Sequence, residues 1–466
     1  MAFNPIYAIR NRHGQGTLLP YKQGSTSAAG AMLRSLQNGG YVDVMVIGDS
    51  NSGFDGTTTS RGYSGGIWET LQDASGWNRK EYGTGLGECA ANSASSLYPL
   101  NGANGENNTS QFYVSVNGTT GSSTWSRGSA LVSAADFIYY PGTAGYSLYY
   151  PFSAPNYNTK DWSYLANPTS AGNYLSDWVA LNKNASYPNA LDCDQASFFR
   201  ITGIKFPNQS TARIQTWVYM TSGPTTVASQ RTEDLSNATS DYAIYSVERD
   251  ISAATRTKMY GVYAASSSVC KGPVGVLFRS FYRKNVPGFS VTNFQTYAGG
   301  TSEQIGLSMS DSVGCKYTTI KTYLRELVTR QQAAGGLGNI LVFCNMGTND
   351  GTTNSATNYP VAANTIVSQF NKAWNELGYP SNQLAFILTA SAAWTSYNPD
   401  QTISNLRAAY SDNPQVSVFN INAVAPQSYL VANSYYAGNS ATPQAHLSAT
   451  GYKTVSKMIL DGVASA

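Results

Sequence analysis

The residues with the clearest chemical potential are a serine, a histidine and an asparagine set far apart in the chain. Ser50 closes the run Val42-Asp43-Val44-Met45-Val46-Ile47-Gly48-Asp49-Ser50-Asn51-Ser52-Gly53. A serine hydroxyl is a weak nucleophile until a neighbouring base takes its proton, and histidine is the usual base near neutral pH. The chain has two histidines, His13 and His446, and His446 stands in Ala445-His446-Leu447-Ser448-Ala449-Thr450-Gly451-Tyr452. Asn349, in Gly347-Thr348-Asn349-Asp350, carries an amide that can donate to a developing oxyanion. Taken singly, each also reads as an ordinary turn or capping residue.

The elements around these residues are of a kind that positions such groups. Residues 42–47 form a short apolar, β-branched run ended by turn residues, which predicts a buried strand. Ser50 then falls at the carboxyl end of that strand, where open α/β sheets place their ligands. Helical spacing of Tyr63, Ile67, Trp68 and Leu71 predicts a helix over 63–74, after a shorter helical stretch at 29–37. From 286 onward strands are predicted at 289–293, 340–343, 384–388 and 416–421. Helices are predicted at 317–331, 361–377, 400–411 and 448–463. Alternation of this kind means a parallel sheet wrapped by helices.

Between about 86 and 285 the texture differs. Helical periodicity gives way to short apolar or alternating runs: 112–116, 137–140, 146–150, 198–206, 213–220, 242–247, 259–263 and 274–282. Gly, Asn, Ser and Pro punctuate them, which predicts an antiparallel sandwich or jelly roll. Trp125, Trp162, Trp178 and Trp217 lie here. Each is read as core before it is read as a sugar-stacking platform. The division expected is an N-terminal arm over 1–39, an α/β domain over 40–85 and 286–466, and an inserted β-rich domain over 86–285.

Charged residues make up 12% of the 466, about half the usual share of roughly 25%, and net charge is +3. That balance argues against an electrostatic nucleic-acid binder. No stretch approaches the roughly 20 apolar residues of a membrane span. Five widely spaced cysteines form no CxxC pair, so neither a zinc site nor a full disulfide framework is indicated. The polar, Tyr-rich composition suits an extracellular setting, yet the first residues hold no apolar core of a secretory signal. A virion protein is the expectation, with a secreted enzyme as the alternative.

The pieces together resemble the SGNH (GDSL-type) hydrolase family. The resemblance rests on four stretches in the family's order: Gly48-Asp49-Ser50-Asn51, Asn293 to Thr301, Gly347-Thr348-Asn349-Asp350 and His446-Leu447-Ser448-x-x-Gly451-Tyr452. It covers roughly 40–85 and 286–466. It implies a flavodoxin-like three-layer sandwich and a carboxylic-ester hydrolase that needs no cofactor or metal. Ser50 would be the nucleophile and His446 the base. The Ser50 N–H, the Gly299 N–H and the Asn349 amide would form the oxyanion hole, with Gly300 as the alternative glycine.

The chain departs from the family in two ways. The stretch between the first two motifs is far longer than one βαβ connection needs. The family also usually places an aspartate three residues before the histidine, and Pro443 stands there. A Ser–His dyad, or a triad with an acid from elsewhere, is therefore expected. The substrate inferred is an O-acetyl or similar acyl group on a host surface glycan. Attachment to other virion proteins through the N-terminal arm and self-association into a homo-oligomer are also expected. The competing reading is a structural or adhesive virion component, a fibre, knob or decoration, on an inert hydrolase fold.

Overall fold

Four apolar runs in this chain are too hydrophobic to lie anywhere but between covering layers. In a computed structural model β1 (Val42–Asp49), β13 (Ile340–Met346), β14 (Leu384–Ala390) and β15 (Val416–Phe419) are buried along their whole length, as strands covered on both faces must be. The model describes residues 27–53, 62–72, 288–297, 300–309 and 315–465 of one compact unit. Of a second it describes ten strands, β2 to β11, with residues 210 and 235–239. The first unit comprises Met1–Gly83 with Lys284–Ala466, and the second Thr84–Arg283.

With β12 (Phe289–Tyr297), the sheet of the first unit has the order β12-β1-β13-β14-β15, and every pairing is parallel. The chain builds outward from β1 to β12, then restarts on the other side of β1 with β13. That reversal is a topological switch point, and it opens a crevice at the carboxyl end of β1.

Helices cover both faces. On one, α1 (Ala28–Gln37) and α3 (Gly62–Gln72) pack against α10 (Ala449–Ala464). On the other, α4 (Ser302–Ser308), α5 (Cys315–Ala333) and α7 (Asp400–Ala409) pack around α6 (Gly351–Glu376). Strand alternation shows the two faces. Phe343 of β13 meets Tyr63 of α3, with ring centroids 5.6 Å apart. Its neighbour Val342 pairs with Phe386 of β14, and Phe386 meets Phe370 of α6 edge-on at 6.2 Å. The helix α1 lies inside the stretch expected to be an arm, so residues 28–37 belong to this α/β unit instead. Their buried face, Ala29, Met32, Leu33 and Leu36, explains why they pack.

One helix starts well before its expected position. The sequence places its start at 361, just after Pro360, and a proline inside a helix removes the N–H that bonds the carbonyl four residues back. Instead α6 runs from Gly351 with Pro360 inside it. The orphaned carbonyl, Ala356 O, accepts from Asn405 Nδ2 of α7 at 2.7 Å. A side chain from the neighbouring helix replaces the lost bond.

At the amino end of β1, Asp43 is fully buried. Its carboxylate accepts from Arg330 Nη2 at 3.1 Å, from Gln331 Nε2 at 2.7 Å and from the Ser290 hydroxyl. Burial pushes its pKa up, and the Arg330 charge and these bonds pull it back. Removing one partner strands a buried charge, which typically costs about 3–5 kcal/mol. Arg330→Ala should therefore lower the urea midpoint by an amount on that scale. A loss under about 1 kcal/mol would show that Asp43 simply takes up a proton.

The second unit contains two antiparallel five-stranded sheets. One has the order β2 (Tyr113–Val116), β5 (Tyr174–Ala180), β10 (Met259–Ala265), β7 (Arg213–Tyr219), β8 (Val227–Asp234). The other has the order β3 (Ser147–Leu148), β4 (Trp162–Leu165), β11 (Val274–Tyr282), β6 (Phe198–Lys205), β9 (Ala243–Asp250). The pairs nest: β7 with β8, β6 with β9, β5 with β10 and β4 with β11. Successive pairs alternate between the sheets. Arg249 of β9 reaches across to Thr216 O of β7 at 2.8 Å. Strand β8, Val-Ala-Ser-Gln-Arg-Thr-Glu-Asp, carries no apolar run, and it forms a sheet edge paired on one side only. The run at 137–140 lies outside the described residues. Among the described residues no helix is long and apolar enough to cross a membrane.

Candidate active site

The crevice beside β1 is built by residues that lock one tight turn. Gly48 pairs with Asn345 of β13, and a Cβ on Gly48 would lie 1.8 Å from Asn345 O. Only glycine permits that approach. Ser50 then starts the one-turn helix α2 (Ser50–Gly53). Ser52 Oγ donates to Asn345 O at 2.9 Å, and Ser64 Oγ donates to Ser52 O at 2.7 Å. Asn51 is held at both ends of its amide. Its Nδ2 donates to Thr348 Oγ1 at 3.1 Å, and its Oδ1 accepts from Tyr452 Oη at 2.6 Å. Three of the four resembling motifs therefore meet in one hydrogen-bonded chain.

Ser50 is 6% exposed, and its Oγ lies 2.7 Å from Nε2 of the half-buried His446. For His446 to act as base, Nε2 must accept this bond, so the ring proton belongs on Nδ1. The loop that carries His446 is tied down on both sides of it. Ala437 N donates to His446 O at 3.0 Å, and Ser448 N donates to Tyr435 O at 2.7 Å. Ser448 Oγ then caps α10 by accepting from Gly451 N at 3.1 Å. Pro443 occupies the position where the family usually has its acid, and its carbonyl accepts from Thr395 Oγ1 at 3.5 Å.

On the other side of the crevice, Gly347 adopts φ +109°, and a Cβ there would lie 2.5 Å from Tyr397 Oη. That turn delivers Asn349, whose Nδ2 donates to Gly300 O at 3.0 Å. One amide proton is thereby held, and the second is left for another acceptor. Asp350 Oδ2 accepts from both Ser302 N and Ser302 Oγ at 2.8 Å, which pins the loop after β12 to the loop after β13. Gly299 lies outside the described residues. The structure shows Gly300 through its carbonyl bond to Asn349. Among the described residues no group of three His, Cys, Asp or Glu side chains is arranged to hold a metal.

Asp49, directly before the nucleophile, is fully buried. Its Oδ1 accepts from Asn51 N at 2.9 Å, while Oδ2 makes no hydrogen bond of normal geometry. Burial lifts its pKa to about 7, with the Asn51 bonds opposing and the Asp350 charge adding a little. The folded protein thus holds this proton more tightly than the unfolded chain does. The stability it contributes is full below the ordinary carboxylate value and is lost as pH rises to about 7. Asparagine keeps the acceptor for Asn51 N and cannot ionise. Asp49→Asn should match the parent near pH 4 and become the more stable of the two by a few kcal/mol above pH 7, levelling off there. Denaturant titrations across that range check it, and a difference independent of pH would show that Asp49 is not buried in ionised form.

Sequence reasoning singled out Ser50, His446 and Asn349 as candidates, and the structure brings Ser50 and His446 together. Sequence reasoning missed the Asn51–Tyr452–Thr348 clamp and the packing of Tyr397 on Gly347. Tyr452 and Thr348 belong to stretches already singled out, so a signal existed for those two. Nothing in the sequence marked Tyr397.

No family profile matches this chain, and no curated protein sequence does. Among solved structures it is similar to an acetyl xylan esterase (Est2A) from Butyrivibrio proteoclasticus, at 10% identity over 64% of this chain and 91% of that one, with a TM-score of 0.20. It is also similar to a family two carbohydrate esterase from Clostridium thermocellum, solved with cellohexaose, at 10% identity over 63% and 92%, with a TM-score of 0.22. A third is the enzymatically active domain of bacteriophage CBA120 tailspike protein 4, at 9% identity over 41% of this chain and 21% of that one, with a TM-score of 0.20. The structures this chain is similar to thus include carbohydrate esterases.

Proposed function

We propose that this chain is a serine esterase of the SGNH type that removes O-acetyl or similar acyl groups from a host surface polysaccharide as part of a virion. The observation that carries the esterase reading is the 2.7 Å approach of Ser50 Oγ to His446 Nε2 at the switch point of the sheet. In this reading Ser50 Oγ attacks the ester carbonyl carbon and its proton passes to His446 Nε2. The oxyanion takes hydrogen bonds from the Ser50 N–H, the Gly299 N–H and Asn349 Nδ2. The carbon–oxygen bond to the leaving alcohol breaks, and His446 returns the proton to that oxygen. Water then attacks the acyl-serine, with His446 as base, and releases the acid and free Ser50. In the absence of the usual aspartate the working unit is a Ser–His dyad with the ring held by a backbone acceptor, or a triad with an acid from elsewhere.

The nested strand pairs of 84–283 support the jelly-roll reading of the second unit, as a domain inserted in the hydrolase. The virion setting rests on composition, and attachment through the N-terminal arm and homo-oligomer formation belong to the same reading.

The second reading, an inert hydrolase fold in a structural or adhesive virion component, is favoured by Pro443 in the acid's place. One experiment separates the two. The full chain is treated with a fluorophosphonate and digested, and its hydrolysis of p-nitrophenyl acetate is followed in parallel. The esterase reading expects one phosphonyl adduct on Ser50 and loss of p-nitrophenol release in step with it. No adduct and no turnover would favour the inert scaffold.

A further inference from the structure

A second concavity opens in the α/β unit, at the carboxyl end of β14 instead of β1. It is a cleft of about 580 Å³, within the roughly 300–1,000 Å³ usual for small-molecule sites. Its walls are the loop 393–398, Thr352 at the start of α6, and residues 422–428 around the junction of α8 (Ile421–Val424) and α9 (Gln427–Ala432). Among the described residues not one charged side chain lines it. The lining offers an indole, hydroxyls and carboxamides beside Ala393 and Pro426, over the buried Tyr397.

Part of this lining is fixed and part is unspent. Asn398 N donates to Thr352 Oγ1 at 3.0 Å, and Asn422 Nδ2 donates to Asp400 Oδ1 at 3.0 Å, so one wall is braced. The side chains of Ser396, Gln427 and Ser428 make no hydrogen bond among the described residues. Trp394 Nε1 is buried with no acceptor. That N–H is out of a ligand's reach, so the indole serves the cleft through its ring. A site that offers a flat aromatic face and several neutral donors and acceptors, and that has no charge to pair, suits a molecule with an apolar ring face rimmed by hydroxyls. A pyranose is such a molecule. A uronate, phosphate or sialate would find no cation there, and an amino sugar no carboxylate.

The cleft is also built onto the catalytic elements. Tyr397 lines it and packs on Gly347, in the turn that delivers Asn349. Thr395 bonds Pro443 O, three residues before His446, and Tyr436 Oη donates to Ala393 O at 2.6 Å. A chain lying in this cleft would rest against both loops that frame the crevice.

We propose that this cleft is a binding subsite for uncharged sugar residues of the acylated glycan. It rests on the esterase reading for its purpose and names the substrate class as a neutral polysaccharide. The test is made on full-length Ser50→Ala protein, so that no turnover is needed. Binding of unacetylated cellohexaose, xylohexaose, mannohexaose and, as the charged member, hexagalacturonate is measured by titration calorimetry. At least one neutral hexaose should bind and the galacturonate should not. Gln427→Ala, whose side chain bonds nothing among the described residues, should weaken that binding, and Trp394→Phe, which keeps a ring, should weaken it less than Trp394→Ala. Trp394→Ala should weaken it at least tenfold. Absence of neutral binding, a preference for the galacturonate, or neutral binding indifferent to both Gln427→Ala and Trp394→Ala would overturn the subsite. An inactive Ser50 leaves these results standing. An active Ser50 with no binding overturns the subsite alone.

Discussion

Ser50→Ala is expected to lower kcat/KM for p-nitrophenyl acetate by at least about 10³-fold, and His446→Ala by a similar factor. The double variant should be no worse than the worse single one. The two side chains act as one unit, because a hydroxyl without its base and a base without its hydroxyl are equally idle. The loss should not come from unfolding. The Ser50–His446 bond is one partly buried hydrogen bond, and such a bond contributes about 1 kcal/mol net. Thermal melts of the singles should stay close to the parent's. Rates within tenfold of the parent in either single variant, with the fold intact, would mean that turnover occurs elsewhere and that the pair is not the nucleophile and its base.

Asn349→Ala is expected to lower kcat by roughly 10²- to 10³-fold with a smaller change in KM. The split follows from when the bond is made. An oxyanion exists only in the tetrahedral species, so a donor to it stabilises the transition state more than the bound ester. The bond to Gly300 O fixes one amide proton and so orients the other, which reduces reorganisation during reaction. Asn349→Asp should be at least as damaging, since it places a carboxylate oxygen where Nδ2 now meets Gly300 O and would repel the oxyanion. The residue is exposed, so both variants should fold. An unchanged kcat in Asn349→Ala would remove this side chain from the oxyanion hole and leave the backbone N–H groups to carry it.

Much of the α/β unit was legible in the sequence because its signals are local. The run Val42–Ile47 could only be a buried strand, and the glycine and serine that follow mark where it must turn. Helices at 317–331, 400–411 and 448–463 announced themselves by apolar spacing, and the motif residues Ser50, Asn349 and His446 by their flanks. The same reasoning could not see α6 start at Gly351, because the bond that excuses Pro360 comes from Asn405 on another helix. It could not see β8, which is polar because it lies at a sheet edge, nor assign residues 28–37 to the unit, because their burial depends on α10.

Chemistry divides along the same line. Residue types along the chain determined which groups could act as nucleophile, base and donor. Only the folded chain decided that Ser50 Oγ and His446 Nε2 lie 2.7 Å apart, that Asp49 is buried deeply enough to hold a proton near neutrality, and that three separate segments line one open cleft with no charged side chain among the described residues. Propensity and periodicity are properties of neighbouring residues. Distance, desolvation and cavity shape arise only when remote segments pack.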